Sequence, residues 1–143
     1  MTRRMLAALV VLLAVGAAAA TTVVFVSRGD SGSGRRTELE STLDLSSQPA
    51  EMVALYHFVE SHPALFEQIP CYCGCGPAIG HKSLFDCFVI APGRYSDHAA
   101  GCTVCTDEAT DVQRLAGDGQ DTATIRQYID AEYSKYGPPT KTK

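Results

Sequence analysis

Pro70-Cys71-Tyr72-Cys73-Gly74-Cys75-Gly76 is the stretch from which the rest of this chain can be read. Three of the six cysteines in the 143-residue sequence stand here at alternate positions, between a proline and a glycine. Thiols at every second position of an extended or tightly turned backbone can converge on one soft ion, and Gly74 and Gly76 permit backbone angles that other residues resist. The remaining cysteines, Cys87, Cys102 and Cys105, follow closely, and none precedes Cys71. The thiol chemistry therefore belongs to one compact module, a metal or redox site with a small fold built to hold it.

The second half of the site is His98-x-x-x-Cys102-x-x-Cys105. On a continuous helix these three side chains share one face, and a thiol pair with a histidine one turn away matches the spacing of Cys/His metal sites. The expected ligands are Cys71, Cys73, Cys75, Cys102, Cys105 and His98, with Cys87 and His81 as further candidates. So many thiolates exceed the need of one four-coordinate ion, which points to a small Cu(I) cluster that includes Cys87. Thiolates with one or two imidazoles select Cu(I) or Zn(II) over hard cations; copper is the preferred ion and zinc the alternative.

Two other readings stay open at this stage. An even number of cysteines outside the cytosol also suits a disulfide-stapled interaction domain. Cys102-x-x-Cys105 suits a thiol–disulfide oxidoreductase, although a pair lying at least a turn inside the expected helix is poorly placed for activation by the helix dipole. Cys87, in the apolar run 84–90, is balanced between a ligand and a buried core thiol. Asp86 and Asp97 are candidate acceptors for His81 and His98. His57 and His62 read as solvated or capping residues. No catalytic constellation is present in the pattern, so the expectation is a binding protein and not an enzyme.

Composition and order along the chain agree. Arg3 and Arg4 precede an uncharged run from Leu6 to Val26 that is long enough to cross a bilayer. Segment 1–27 is read as an uncleaved membrane anchor, with cleavage near Ala18-Ala19-Ala20 as the competing possibility, and the domain as extracytoplasmic. Residues 28–48 read as a flexible linker, 49–137 as the cysteine-rich domain and 138–143 as a disordered tail. Beyond Arg36 there are seven Lys+Arg against fifteen Asp+Glu, a net charge of −8. This anionic domain excludes nucleic acid as a natural partner and suits one that meets cations. The expected partners are a metal ion, the membrane through the N-terminal helix, and an unidentified protein for metal delivery.

The expected fold is mainly α and small. Met52, Leu55, Tyr56 and Val59 recur at helical spacing after Pro49, and Leu65, Phe66 and Ile69 continue beyond Pro63. The run 84–90 fits a buried helical turn or a strand equally well. Ser96 or Asp97 is expected to cap a helix that runs to about Ala116, with His98, Cys102, Cys105, Ala109, Val112 and Ala116 along one stripe. Ile125, Tyr128, Ile129, Tyr133 and Tyr136 define a last amphipathic helix whose tyrosines are expected in the core. A core this small is often supported by a metal or disulfides.

Pro-Cys-Tyr-Cys-Gly-Cys at 70–75 resembles the hexapeptide that marks the bacterial PCYCGC-motif family, a group of membrane- or lipid-anchored proteins without an assigned activity. The similarity extends from about Met52 through Gly80-His81, Asp86-Cys87, His98 and Cys102-x-x-Cys105 to the final helix. The chain departs from the lipid-anchored members in having no lipobox cysteine, which leaves anchoring to the hydrophobic segment.

Overall fold

The computed structural model describes residues 41–142; the expected anchor at 1–27 and most of the expected linker fall outside them. The described residues are mainly helical, as the periodicity predicts, with a small sheet that the periodicity does not. β1 is Thr42–Leu43, followed by α1 (Ala50–Ser61), α2 (Pro63–Phe66), α3 (Cys75–Ile79), β2 (Val89–Ala91), β3 (Arg94–Ser96), α4 (Thr103–Gly117) and α5 (Thr122–Tyr133). Short 3-10 turns lie at Leu45–Ser47, Phe85–Cys87 and Ala99–Gly101.

The sheet is antiparallel in the order β1-β3-β2, with Leu43 opposite Tyr95 and Val89 also opposite Tyr95. Pro92-Gly93 closes the β2–β3 hairpin. The apolar run 84–90 thus resolves into a 3-10 turn that ends at Cys87 and a strand that begins at Val89. β1 comes from the end of the segment expected to be linker, and it pairs with β3 because Leu43 finds apolar cover against the core there.

α1 buries Leu55, Tyr56 and Val59, and Tyr56 joins it to the sheet and to the stretch ahead of α4. The Tyr56 hydroxyl donates to the Ser96 carbonyl at 2.7 Å and accepts from the Ala100 N–H at 3.1 Å. Its ring meets Phe88 edge-on, with centroids 4.8 Å apart. A buried hydroxyl with both roles satisfied is retained at little cost and fixes the direction of approach. His98 lies between these two anchored backbone groups, so Tyr56 also fixes where the imidazole is presented.

α4 and α5 pack as a helical pair through Ala109 and Val112 on one side and Ile125, Ile129 and Tyr133 on the other. Asp121 caps α5 by accepting from the Thr124 N–H at 2.8 Å. The tyrosine stripe is only partly core: Tyr133 is buried, whereas Tyr128 and Tyr136 are 39% and 56% exposed. Arg114 and Lys135 cover the faces of those two rings instead, at 5.5 and 5.3 Å from their centroids.

Two expectations are corrected. The helix expected from Ser96 or Asp97 begins later: Ala99–Gly101 is a separate 3-10 turn, and Cys102 is the extended N-cap residue of α4, at φ −125° and ψ 104°. Residues 138–142 are not a loose tail. Thr140 is buried, its N–H donates to the Cys71 carbonyl at 3.0 Å, and its Oγ1 accepts from the Cys71 N–H at 2.9 Å. Gly137 makes this approach possible, since a Cβ there would stand 2.9 Å from the Tyr72 carbonyl oxygen. The end of the chain is therefore a strap laid across the cysteine loop.

The strap gives a direct stability test. Thr140→Val keeps the volume but leaves the buried Cys71 N–H without an acceptor, and is expected to cost about 1–3 kcal/mol. Lys141→Ala, at an exposed neighbour, should leave the unfolding midpoint unchanged. Equal midpoints for the two variants in denaturant titrations would show that the strap carries no stability.

Candidate metal centre

The cysteine loop is held by its backbone. Cys71 is paired to Thr140 through both its N–H and its carbonyl, and the Tyr72 N–H donates to Glu108 Oε1 at 2.9 Å. The Tyr72 hydroxyl reaches α5 and donates to Asp130 at 2.7 Å. The Ile69 carbonyl accepts from the Leu84 N–H at 2.8 Å, which brings the stretch that carries Cys87 alongside. Gly74 then takes φ +84° as the N-cap of α3, a left-handed angle that suits glycine, and turns Cys75 back toward the thiols before it.

These constraints bring five cysteines and two histidines together. Cys71 Sγ lies 3.6 Å from Cys105 Sγ, and Cys75 Sγ lies 3.6 Å from Cys87 Sγ. His81 Nδ1 is 3.3 Å from Cys87 Sγ, and His98 Nε2 is 3.5 Å from Cys73 Sγ. Three overlapping sets have all their donor atoms within 4.8 Å of one another: Cys71/Cys73/Cys75/Cys87, Cys73/Cys87/His98/Cys105 and Cys75/His81/Cys87/His98. Two thiolates at 2.3 Å from one tetrahedral ion stand about 3.8 Å apart, close to the separations seen here. All six cysteines are free thiols.

Of the residues expected as ligands, Cys71, Cys73, Cys75, Cys87, Cys105, His81 and His98 converge. Cys87, which its sequence left balanced between a ligand and a core thiol, is fully buried and common to all three sets. Cys102, the N-cap residue of α4, is half-buried and belongs to none of the three sets, but its thiol still interacts with those of Cys73 and Cys105 at the edge of the cluster. His98 reaches the site from the turn before α4, not from its face. Asp86 accepts from the Lys82 N–H at 2.7 Å. His62 stacks on Phe58 at a centroid distance of 4.1 Å, and its Nδ1 lies 2.8 Å from the Phe58 carbonyl oxygen, which agrees with a local capping role.

The electrostatics concentrate one negative charge. Hydrogen bonds from neighbouring thiols, Cys105 first, hold Cys73 well below the ordinary thiol range. Cys73 first, and then Cys75, push His98 up to about 10. Cys75 is raised to about 12, chiefly by Cys71 and Cys73, and Cys87 is raised well above its usual value, chiefly by Cys105 and Cys71. Burial makes each further negative charge in a thiol-rich pocket costly, which also pushes its buried thiols up.

The residue that sequence reasoning missed is Glu108. It is fully buried, and while Oε1 holds the Tyr72 N–H, Oε2 has no hydrogen-bond partner. Burial, opposed in part by Cys71 and the Tyr72 N–H, pushes its carboxyl up to about 8. The available signal was a carboxylate three residues after Cys105, on the same face as Val112 of the predicted stripe. Being protonated at neutral pH, Glu108 is mimicked by glutamine. Glu108→Gln is expected to unfold at the wild-type midpoint at pH 7. Glu108→Leu, which strands the Tyr72 N–H, should lose about 1–3 kcal/mol. Equal losses in the two variants would assign Glu108 no backbone-holding role.

No curated protein and no solved structure shows significant similarity to this chain. The family model described as a protein of unknown function with PCYCGC motif matches residues 31–143. That span contains every converging donor, the strap and Glu108, and the chain belongs to this family.

Proposed function

We propose that the chain is a metal-binding protein that holds thiophilic ions, Cu(I) in preference and Zn(II) as the alternative, for sequestration or transfer outside the cytoplasm. The observation that carries this reading is the convergence of five thiols and two imidazoles into overlapping four-donor sets. Sulfur with nitrogen donors selects soft and borderline ions over magnesium or calcium. Copper is preferred for the thiol density, and no hydrolytic role is assigned to any converging residue. The hydrophobic run Leu6 to Val26 is the proposed membrane anchor, and the anionic charge of the domain favours encounter with cations.

One observation favours a second reading, a thiol–disulfide oxidoreductase. Cys102 stands half-exposed at the N-cap of α4, a place that suits the accessible thiol of a redox pair, although burial raises its pKa. Against it, its partner at the Cys-x-x-Cys spacing, Cys105, is fully buried and lies against Cys71.

Protein purified without added reductant and without chelator is expected to carry copper or zinc at one equivalent or more, as measured by elemental analysis. Metal-free protein with no alkylatable cysteine would overturn the metal reading in favour of disulfides. Folding and binding should also be coupled, because structural zinc sites supply about 10–16 kcal/mol of apparent binding energy to small domains. Chelation under reducing conditions is therefore expected to lower the thermal midpoint sharply, and His98→Ala to weaken binding while His57→Ala leaves it unchanged. A melting curve insensitive to chelation would assign stability to packing alone.

A further inference from the structure

We infer that the centre holds two thiophilic ions that share Cys75 and Cys87 as bridging thiolates. Cys71 and Cys73 complete the first ion's donors, and His81 and His98 complete the second's. This inference rests on the metal-binding reading above and extends it to the number of ions and the division of ligands.

The geometry carries it. The all-thiolate set and the set with two imidazoles have only Cys75 and Cys87 in common. Two tetrahedra that share those two corners need the bridging sulfurs to stand apart by one tetrahedral edge, and the two Sγ atoms are 3.6 Å apart. With metal–sulfur bonds near 2.3 Å, that separation puts two ions about 2.9 Å from each other, on opposite sides of the Cys75–Cys87 line. The donor types sort the same way. A thiolate has lone pairs enough to bridge, whereas a neutral imidazole offers one acceptor nitrogen and ends on a single ion. Pairing the two histidine-containing sets would require His98 to bridge, which its chemistry forbids.

Charge gives the second argument. Cys71, Cys75, Cys87 and His81 are at most 3% exposed. Four thiolates on one divalent ion leave a charge of −2 in that interior, whereas two divalent ions on the same thiolates and two neutral imidazoles leave none. With copper(I), the second ion reduces the residue from −3 to −2. Burial penalises uncompensated charge heavily, so the interior favours the second ion. Cys105 stays against Cys71 at 3.6 Å as a neighbouring thiol.

Native mass spectrometry of the full-length chain released from detergent, titrated anaerobically with zinc(II) and in a parallel series with copper(I), counts the ions. Saturation at two ions per chain in either series is expected. Saturation at one in both overturns the two-ion inference and leaves the metal-binding reading standing; no binding in either overturns both. Cadmium-113 NMR of the cadmium-loaded wild-type protein tests the division of ligands without mutation. Two resonances are expected, one at the shift of an all-thiolate site and one at that of a mixed sulfur–nitrogen site, while a single resonance overturns the assignment. His98→Ala, at a half-buried position, should leave the all-thiolate resonance in place and shift or remove the other; loss of the all-thiolate resonance alone would overturn the assignment.

Discussion

The site depends on how the backbone of Cys71 and Tyr72 is held. Two consecutive buried residues of an irregular loop carry peptide groups that neither helix nor sheet satisfies, and leaving them unpaired would cost more than the loop's packing returns. Thr140 takes both polar groups of Cys71, and Glu108 takes the Tyr72 N–H. One partner comes from the end of the chain and the other from the middle of α4. The loop's thiols are thereby kept in the interior while their side chains stay free to bind.

A core that contains thiols has a particular electrostatic character. Cysteine packs as a small hydrophobe when protonated, so Cys71, Cys75, Cys87 and Cys105 can sit among Phe66, Leu84 and Phe88 without strain on the apolar packing. The same burial makes several thiolates intolerable unless a cation accompanies them. Cys73, held low by its thiol neighbours, faces His98, held high by Cys73, across 3.5 Å at the more exposed edge of the site. On the proposed metal-binding reading, a cation would turn core thiols into ligands, and occupancy would be coupled to the electrostatics of the core.

The positions of the two histidines follow from different elements. His81 arrives with the turn after α3 and is buried beside Cys87, whereas His98 is fixed between the Ser96 carbonyl and the Ala100 N–H that Tyr56 holds. The two rings meet edge to face with centroids 5.2 Å apart. A small sheet of three short strands is thus more than an ornament on a helical domain, because β3 carries the chain from the Cys87 stretch to His98 at a fixed register.

The alternating cysteines, the helical periodicity of α1, α4 and α5, and the supply of thiol and imidazole donors around the cysteine loop were legible in the sequence. Spacing and composition are local properties, and they survive folding. The family membership was legible for the same reason, being written in a hexapeptide. What the chain's pattern could not carry was anything determined by contacts between distant segments. Cys102 became the extended N-cap of α4 and not a residue of its face, because the helix starts one residue after it, at the end of a 3-10 turn that Tyr56 holds through the Ala100 N–H. The last residues became a strap because Gly137 lets the backbone approach Tyr72 and Thr140 matches Cys71 in both hydrogen-bond roles. Glu108 acquired its role only where α4 packs against the loop and the Tyr72 N–H donates to its oxygen. Sequence spacing determines which donors are available; tertiary packing, through the pairing of buried polar groups, decides which of them meet.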